Sequence, residues 1–157
     1  MTCGFSLARS RTDTLLAFAE ARTPRYTSYP TAPHFHEGVD AQTYAGWLAQ
    51  LDPAGPVSLY LHVPYCRSLC WYCGCNTRAT TRDEPVAAYL LRLLAEVRLV
   101  ADHLPGRMTV SHLALGGGTP AILKPDQLDE LMAAVRARFD FATDAEVSME
   151  IDPRHFD

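Results

Sequence analysis

Four cysteines, Cys66, Cys70, Cys73 and Cys75, stand within ten residues in the run CRSLCWYCGC, while the fifth, Cys3, stands alone. Clustering this tight is not a disulfide framework; in a reducing compartment it points to metal binding or redox chemistry. Cys66, Cys70 and Cys73 have CxxxCxxC spacing, so a compact loop can turn three thiolates towards one centre. Three thiolates on a four-iron cluster leave one iron open, whereas a closed four-cysteine site is usually structural or carries electrons. The competing reading is a structural zinc site using all four cysteines, although zinc hooks are usually CxxC-like pairs separated by a longer insert. Cys75 lies two residues past Cys73 across Gly74, an awkward reach for a fourth ligand, and is placed near the site but not among its ligands.

A glycine run, Gly116-Gly117-Gly118-Thr119-Pro120, follows one apolar β-rich segment and precedes a helical one. Its bare backbone can approach a ligand and offer N–H and C=O groups, and a side chain at Gly118 is expected to weaken cofactor binding more than folding. A tight turn would use glycines too, and the run lacks the lysine of a phosphate-binding loop, which argues against nucleotide hydrolysis. Glu150 ends a third apolar segment, where a carboxylate could bind a cofactor's hydroxyl or ammonium; the ordinary reading is a solvated surface glutamate. Tyr60 and His62 alternate on one strand and share a face, towards the cysteines or into the sheet. Tyr60, His62 and Cys75 are the candidates for catalytic roles, although a lone strand histidine is more often structural. His34, His36, His103, His112 and His155 show no ligand-like grouping and read as structural or surface residues.

The elements that must position these groups alternate. Residues 57–63 (VSLYLHV), 109–115 (TVSHLAL) and 146–151 (EVSMEI) read as strands, the first of them buried between Pro56 and Pro64. Residues 84–103 read as a helix with a stripe of Leu90, Leu91, Leu94, Val97 and Val100, capped by Asp83 or Thr81. Residues 125–139 read as another, with Leu128, Leu131, Val135 and Phe139 on one side and Pro125 in its first turn. Strand, helix, strand, helix, strand implies a parallel α/β sheet with right-handed crossovers, and ligands in such sheets bind at the carboxyl ends of the strands. All three motifs follow strands. Upstream, residues 13–22 and 41–51 have helical spacing, and Pro24, Pro30 and Pro33 make the aromatic-bearing stretch between them an ordered or binding loop. The expected organisation is an N-terminal extension over 1–55 and an α/β portion over 56–157.

With 157 residues, 48% hydrophobic and 20% charged, the chain can build one ordinary core. A net charge of −4 argues against nucleic acid as a partner. No window approaches the roughly 18 apolar residues of a membrane span, and residues 1–10 lack the apolar core of a secretory signal, so a cytoplasmic protein is expected.

PRYTSYPTA at 24–32, YLHVPYCRSLCWYCGCN at 60–76, LGGGTP at 115–120 and MEIDP at 149–153 together resemble the oxygen-independent coproporphyrinogen III dehydrogenases of the radical S-adenosylmethionine superfamily. The resemblance covers residues 13–157. The CGCN ending separates it from related haem chaperones and haem-degrading proteins, which tend to carry a different pair after the third cysteine. The resemblance implies a partial (β/α) barrel, here extending only through its third strand, and one 4Fe-4S cluster on Cys66, Cys70 and Cys73. It implies two S-adenosylmethionine molecules, one on Tyr60, Gly117 and Glu150 and a second on Tyr72, Gly118 and Thr119. The implied reaction uses a 5'-deoxyadenosyl radical to take hydrogen from a propionate side chain of coproporphyrinogen III, which loses carbon dioxide and an electron to become a vinyl group. A reducing donor such as flavodoxin or ferredoxin, and a monomeric full-length protein, are implied with it. The family's chains are about three times longer, so decarboxylation is not expected of the 157 residues alone. A haem-delivery protein and a zinc module are the competing readings.

Overall fold

The computed structural model describes Thr12, Leu15, Leu16 and residues 31–155. The chain divides into two units, Met1–Gly38 and Val39–Asp157. The helix expected over 13–22 and the segment 24–32 lie outside the described residues, apart from Leu15 and Leu16, which are helical, and Thr31 and Ala32. In the first unit a 3-10 turn, Ala32–His34, is closed by the His34 amide donating to the Thr31 carbonyl at 2.8 Å.

The second unit opens with helix α1, Ala41–Ala49, where Asp40 accepts from the Thr43 amide at 2.8 Å as an N-cap should. Strand β1, Pro56–Val63, leads into β2, Tyr65–Cys66; β3, Arg78–Ala79, pairs parallel with β2. Helix α2, Glu84–Asp102, strand β4, Thr109–Gly117, a 3-10 turn, Pro120–Ile122, helix α3, Pro125–Arg138, and strand β5, Asp140–Met149, complete it. The main sheet is parallel throughout, in the order β1-β4-β5. This is the parallel α/β arrangement the strand and helix spacing implies.

The core lies between one face of the sheet and the two long helices. Leu61 and Val63 of β1, Val110, Leu113 and Leu115 of β4, Leu90, Leu93, Leu94 and Val97 of α2 and Leu131 and Val135 of α3 are all buried in it. Two expectations need correction here. β1 is not buried throughout: only Leu61 and Val63 are, because it is an edge strand with one face on the helices, and Tyr60 remains 59% exposed. On α2 the buried stripe runs Val86, Leu90, Leu93, Leu94, Val97, while Leu91 points outward, since one residue further turns the side chain about 100° around the axis. Asp83 precedes α2, yet its carboxylate does not cap the helix; it pairs with Arg67 at 2.6 Å and Lys124 at 3.0 Å, which hold it below the usual carboxylate range.

The third strand starts six residues before the expected 146, directly after Phe139. Its early part, DFATDAE, is polar because β5 is an edge strand with mostly exposed side chains, so alternation of hydrophobicity does not reveal it. Ser111 is the extra residue in β4, between the pairs Val57↔Val110 and Ser58↔His112. Beyond this bulge the register sets Tyr60, Ala114 and Ser148 side by side, with His62 beside Gly116. Towards the strand ends the face away from the helices therefore sets the Tyr60 and His62 rings beside small neighbours, Ala114, Ser148 and Gly116.

Candidate functional site

The cysteine loop is tied at its base and open at its tip. β2 and β3 bring its two ends together, with the Arg78 amide donating to the Pro64 carbonyl and the Thr80 amide to the Cys66 carbonyl, each at 2.9 Å. The glycine run is sewn to the same base: the Gly118 amide donates to Val63 O at 2.9 Å and the Thr119 amide to Tyr65 O at 2.8 Å. Cys66 at the base is buried, Cys70 is half-buried, and Cys73 and Cys75 are exposed; none of the four is in a disulfide. Thr119, itself buried, donates its hydroxyl to Cys66 Sγ at 3.3 Å, and Thr77 Oγ1 lies 3.5 Å from the same sulfur. Arg154 Nη2 donates to Cys70 Sγ at 3.4 Å.

Two cavities open at the carboxyl ends of β1 and β4. The larger, about 420 Å³, is lined by all four cysteines together with Tyr72, Gly117, Gly118, Thr119 and Arg154. The smaller, about 220 Å³, is lined by Tyr60, His62, Cys75, Asn76, Gly117 and Glu150. Every sequence-derived site candidate thus lines one cavity or the other, and Gly117 and Cys75 line both.

In the smaller cavity the hydrogen bonds fix a tautomer. His62 Nε2 lies 2.9 Å from the Asn76 carbonyl, which can only accept, so Nε2 carries the proton; Nδ1 then accepts from the Tyr60 hydroxyl at 3.1 Å. Partial desolvation pushes the Tyr60 phenol up, and the neighbouring Glu150 carboxylate adds to it, so the hydroxyl stays a donor. The Cys75 thiol is also pushed up, first by local desolvation and then by its neighbour Cys73. Glu150, although exposed, does not hang free in solvent: its Oε2 accepts from the Gly117 amide at 2.9 Å. Tyr89, on α2, donates its hydroxyl to the His62 carbonyl at 2.7 Å and so braces the strand end from behind.

The glycines answer first to the protein's own packing. Gly117 has φ +111°, and a Cβ there would lie 2.5 Å from the His62 ring. A Cβ on Gly116 would meet the Tyr60 hydroxyl at 2.9 Å, and one on Gly118 would meet Thr77 Oγ1 at 2.4 Å and the Tyr65 carbonyl oxygen at 2.5 Å. The amides of Gly117, Gly118 and Thr119 are all committed within the chain. The expectation that a side chain at Gly118 would disturb a ligand more than the fold is therefore revised, because the atoms it would strike include backbone.

Sequence reasoning missed Thr77, Arg154 and His155. His155 Nε2 lies 3.1 Å from Ser68 Oγ, and Arg154 pairs with Asp152 at 2.7 Å while reaching Cys70; the contacts to the cysteine loop span 84 to 87 residues, with no local pattern to announce them. Among the described residues no three His, Cys, Asp or Glu side chains are gathered closely enough to hold a metal ion. The donor set nevertheless fits a thiolate-held iron-sulfur cluster: free thiols share one cavity wall, and hydroxyl and guanidinium donors already address two of the sulfurs.

No protein-family model matches the chain. Over 144 residues, 92% of its length, it is 51% identical to an oxygen-independent coproporphyrinogen III oxidase of Bradyrhizobium diazoefficiens, 32% of which it covers. Over 142 residues it is 48% identical to coproporphyrinogen III oxidase, anaerobic 1, of Cereibacter sphaeroides, covering 90% of this chain and 31% of that protein. Its fold matches coproporphyrinogen III oxidase (HemN) from Escherichia coli, described as a radical SAM enzyme, with a TM-score of 0.78 and 39% identity over 90% of this chain and 31% of that one. The chain spans about a third of the length of the curated relatives it matches.

Proposed function

We propose that this chain, homologous over nine-tenths of its length to oxygen-independent coproporphyrinogen III oxidases, supplies the cluster-binding and cofactor-binding part of such an enzyme in the cytoplasm. The reaction is the oxidative decarboxylation of coproporphyrinogen III propionates to vinyl groups. One observation carries the reading: Cys66, Cys70 and Cys73 line a single cavity with the glycine turn at the carboxyl end of a parallel sheet. In the proposed organisation residues 1–55 are an extension and residues 56–157 the barrel portion.

Cys66, Cys70 and Cys73 would hold a 4Fe-4S cluster, and S-adenosylmethionine would sit beside it. When bound, the cluster supplies the one-electron reduction of the sulfonium that starts radical chemistry, fed by a donor such as flavodoxin or ferredoxin. Tyr60, Gly117 and Glu150 are proposed to hold one S-adenosylmethionine, and Tyr72, Gly118 and Thr119 a second. Glu150 spends one oxygen on the Gly117 amide and keeps the other for an ammonium group. Because the glycine amides are taken, the glycine run would meet a cofactor through its carbonyls and its shape. His62, held between Tyr60 and Asn76 O, stiffens the cavity wall, and Cys75 stands where the two cavities meet.

The test is anaerobic reconstitution with iron and sulfide, then reductant and S-adenosylmethionine. Four irons per chain and release of 5'-deoxyadenosine support the reading; a colourless protein holding zinc overturns it. Protoporphyrinogen formation is not expected from these 157 residues alone, because aligning one substrate hydrogen tolerates displacements of only about 1 Å before rates fall roughly a hundredfold.

A further inference from the structure

We infer that Arg154, aimed by Asp152, is a positioning residue that latches the tip of the cysteine loop and places a charged donor on the sulfur of Cys70. The inference rests on the reading of Cys70 as a cluster ligand. The loop's base is held by β2, β3 and Thr119, but those bonds stop at Cys66 and Thr77. Between them, Cys70 and Cys73 are linked locally by the Cys73 amide donating to the Cys70 carbonyl at 3.1 Å. The long-range ties to this tip come from the segment after β5: Arg154 Nη2 reaches Ser68 O and Cys70 Sγ, both at 3.4 Å, and His155 meets Ser68 Oγ at 3.1 Å.

Arg154 is not free to wander. Asp152 accepts from its Nε at 2.9 Å, from Nη2 at 2.7 Å and from its backbone amide at 3.0 Å. The Asp152 side chain is only 10% exposed, so the carboxylate is itself fixed, and the sheet fixes its approach through the Glu150 amide donating to Leu115 O at 2.9 Å. A fork gripped on one side by a carboxylate leaves an Nη2 N–H shared between Ser68 O and Cys70 Sγ, a geometry a lysine cannot reproduce. A positive N–H donor on a ligating sulfur favours the more negative, reduced form of a cluster and so raises its potential.

The experiment compares the full 157-residue chain with its Arg154→Gln and Arg154→Lys variants in two arms. In the metal-free protein, hydrogen exchange read by mass spectrometry should quicken several-fold over residues 68–73 in Arg154→Gln, with β4 amides unchanged as the check on folding. In the anaerobically reconstituted protein, Arg154→Gln should keep its iron count but show a lower midpoint potential, and Arg154→Lys should recover part of the potential without recovering the exchange protection. Unchanged exchange overturns the latch, and an unchanged potential overturns the charged donor. Full iron content in Cys70→Ala overturns the ligand reading instead, and the metal-free arm then still decides the latch by itself.

Discussion

At the amino end of the sheet a single guanidinium closes the structure: Arg107 donates to the carbonyls of Arg136, Ala137 and Phe139 at 2.7, 2.7 and 3.0 Å and to the Asp140 carboxylate at 2.6 Å. It satisfies the last carbonyls of α3 where the chain turns directly into β5. At the carboxyl end the donors aim at sulfur instead, at 3.3 to 3.5 Å, and the loop they hold leaves Cys73 and Cys75 exposed. Among the described residues the amino end has short bonds and no thiol; the carboxyl end is assembled from segments distant in sequence and stays open at its tip. In parallel α/β sheets the two ends divide in this way, one for stability and one for chemistry, and the contrast says where substitutions should act on folding and where on binding.

The sharpest break should come at the thiols. Replacing Cys66, Cys70 or Cys73 with Ala should abolish iron binding on anaerobic reconstitution, whereas Cys3→Ala should leave the iron count unchanged and Cys75→Ala should keep the cluster. Gly118→Val crosses the division, because it lies at the chemical end yet should act on folding: the side chain would press on Tyr65 O and Thr77, costing about 1–3 kcal/mol as an overpacked site does. Thermal melting with no cofactor added would read the loss, and an unchanged melt beside weakened binding would restore the glycine run to the ligand.

Arg107→Ala tests the other end. Releasing the α3 carbonyls should cost about 1–2 kcal/mol in denaturant unfolding, with iron content unaffected. The smallest effect is electrostatic. Arg154's hydrogen bonds hold the Asp152 carboxyl at about 2, against an ordinary 3.8. A depressed carboxyl stabilises the fold above its ordinary value and loses that contribution as pH falls from about 3.8 towards 2. Following the Asp152 carboxyl by NMR should give a midpoint near 2 that rises towards 3.8 in Arg154→Gln.

Much was legible along the chain. β1, β4 and both long helices were found within one or two residues of their ends, because apolar period and Pro or Gly punctuation are local signals. The early half of β5 was not, since an edge strand exposes polar side chains and keeps its identity only in its hydrogen bonds to β4. β2 and β3, two residues each, have no period to detect. The cysteines, the glycine run and Glu150 were legible as residue types following strands. Their sorting into two cavities was not.

Residue type and spacing by themselves determined that three thiols could serve one centre, that the sheet is parallel and that the candidate site residues follow its strands. Only the tertiary structure decided that the glycine amides are spent within the chain, that Glu150 turns onto the Gly117 amide, and that Arg154 reaches back to Cys70. The reason is range: helix and strand periods are written in neighbours, whereas a hydrogen bond between residues 33 or 84 positions apart depends on register and on the path of the chain, which no local pattern encodes.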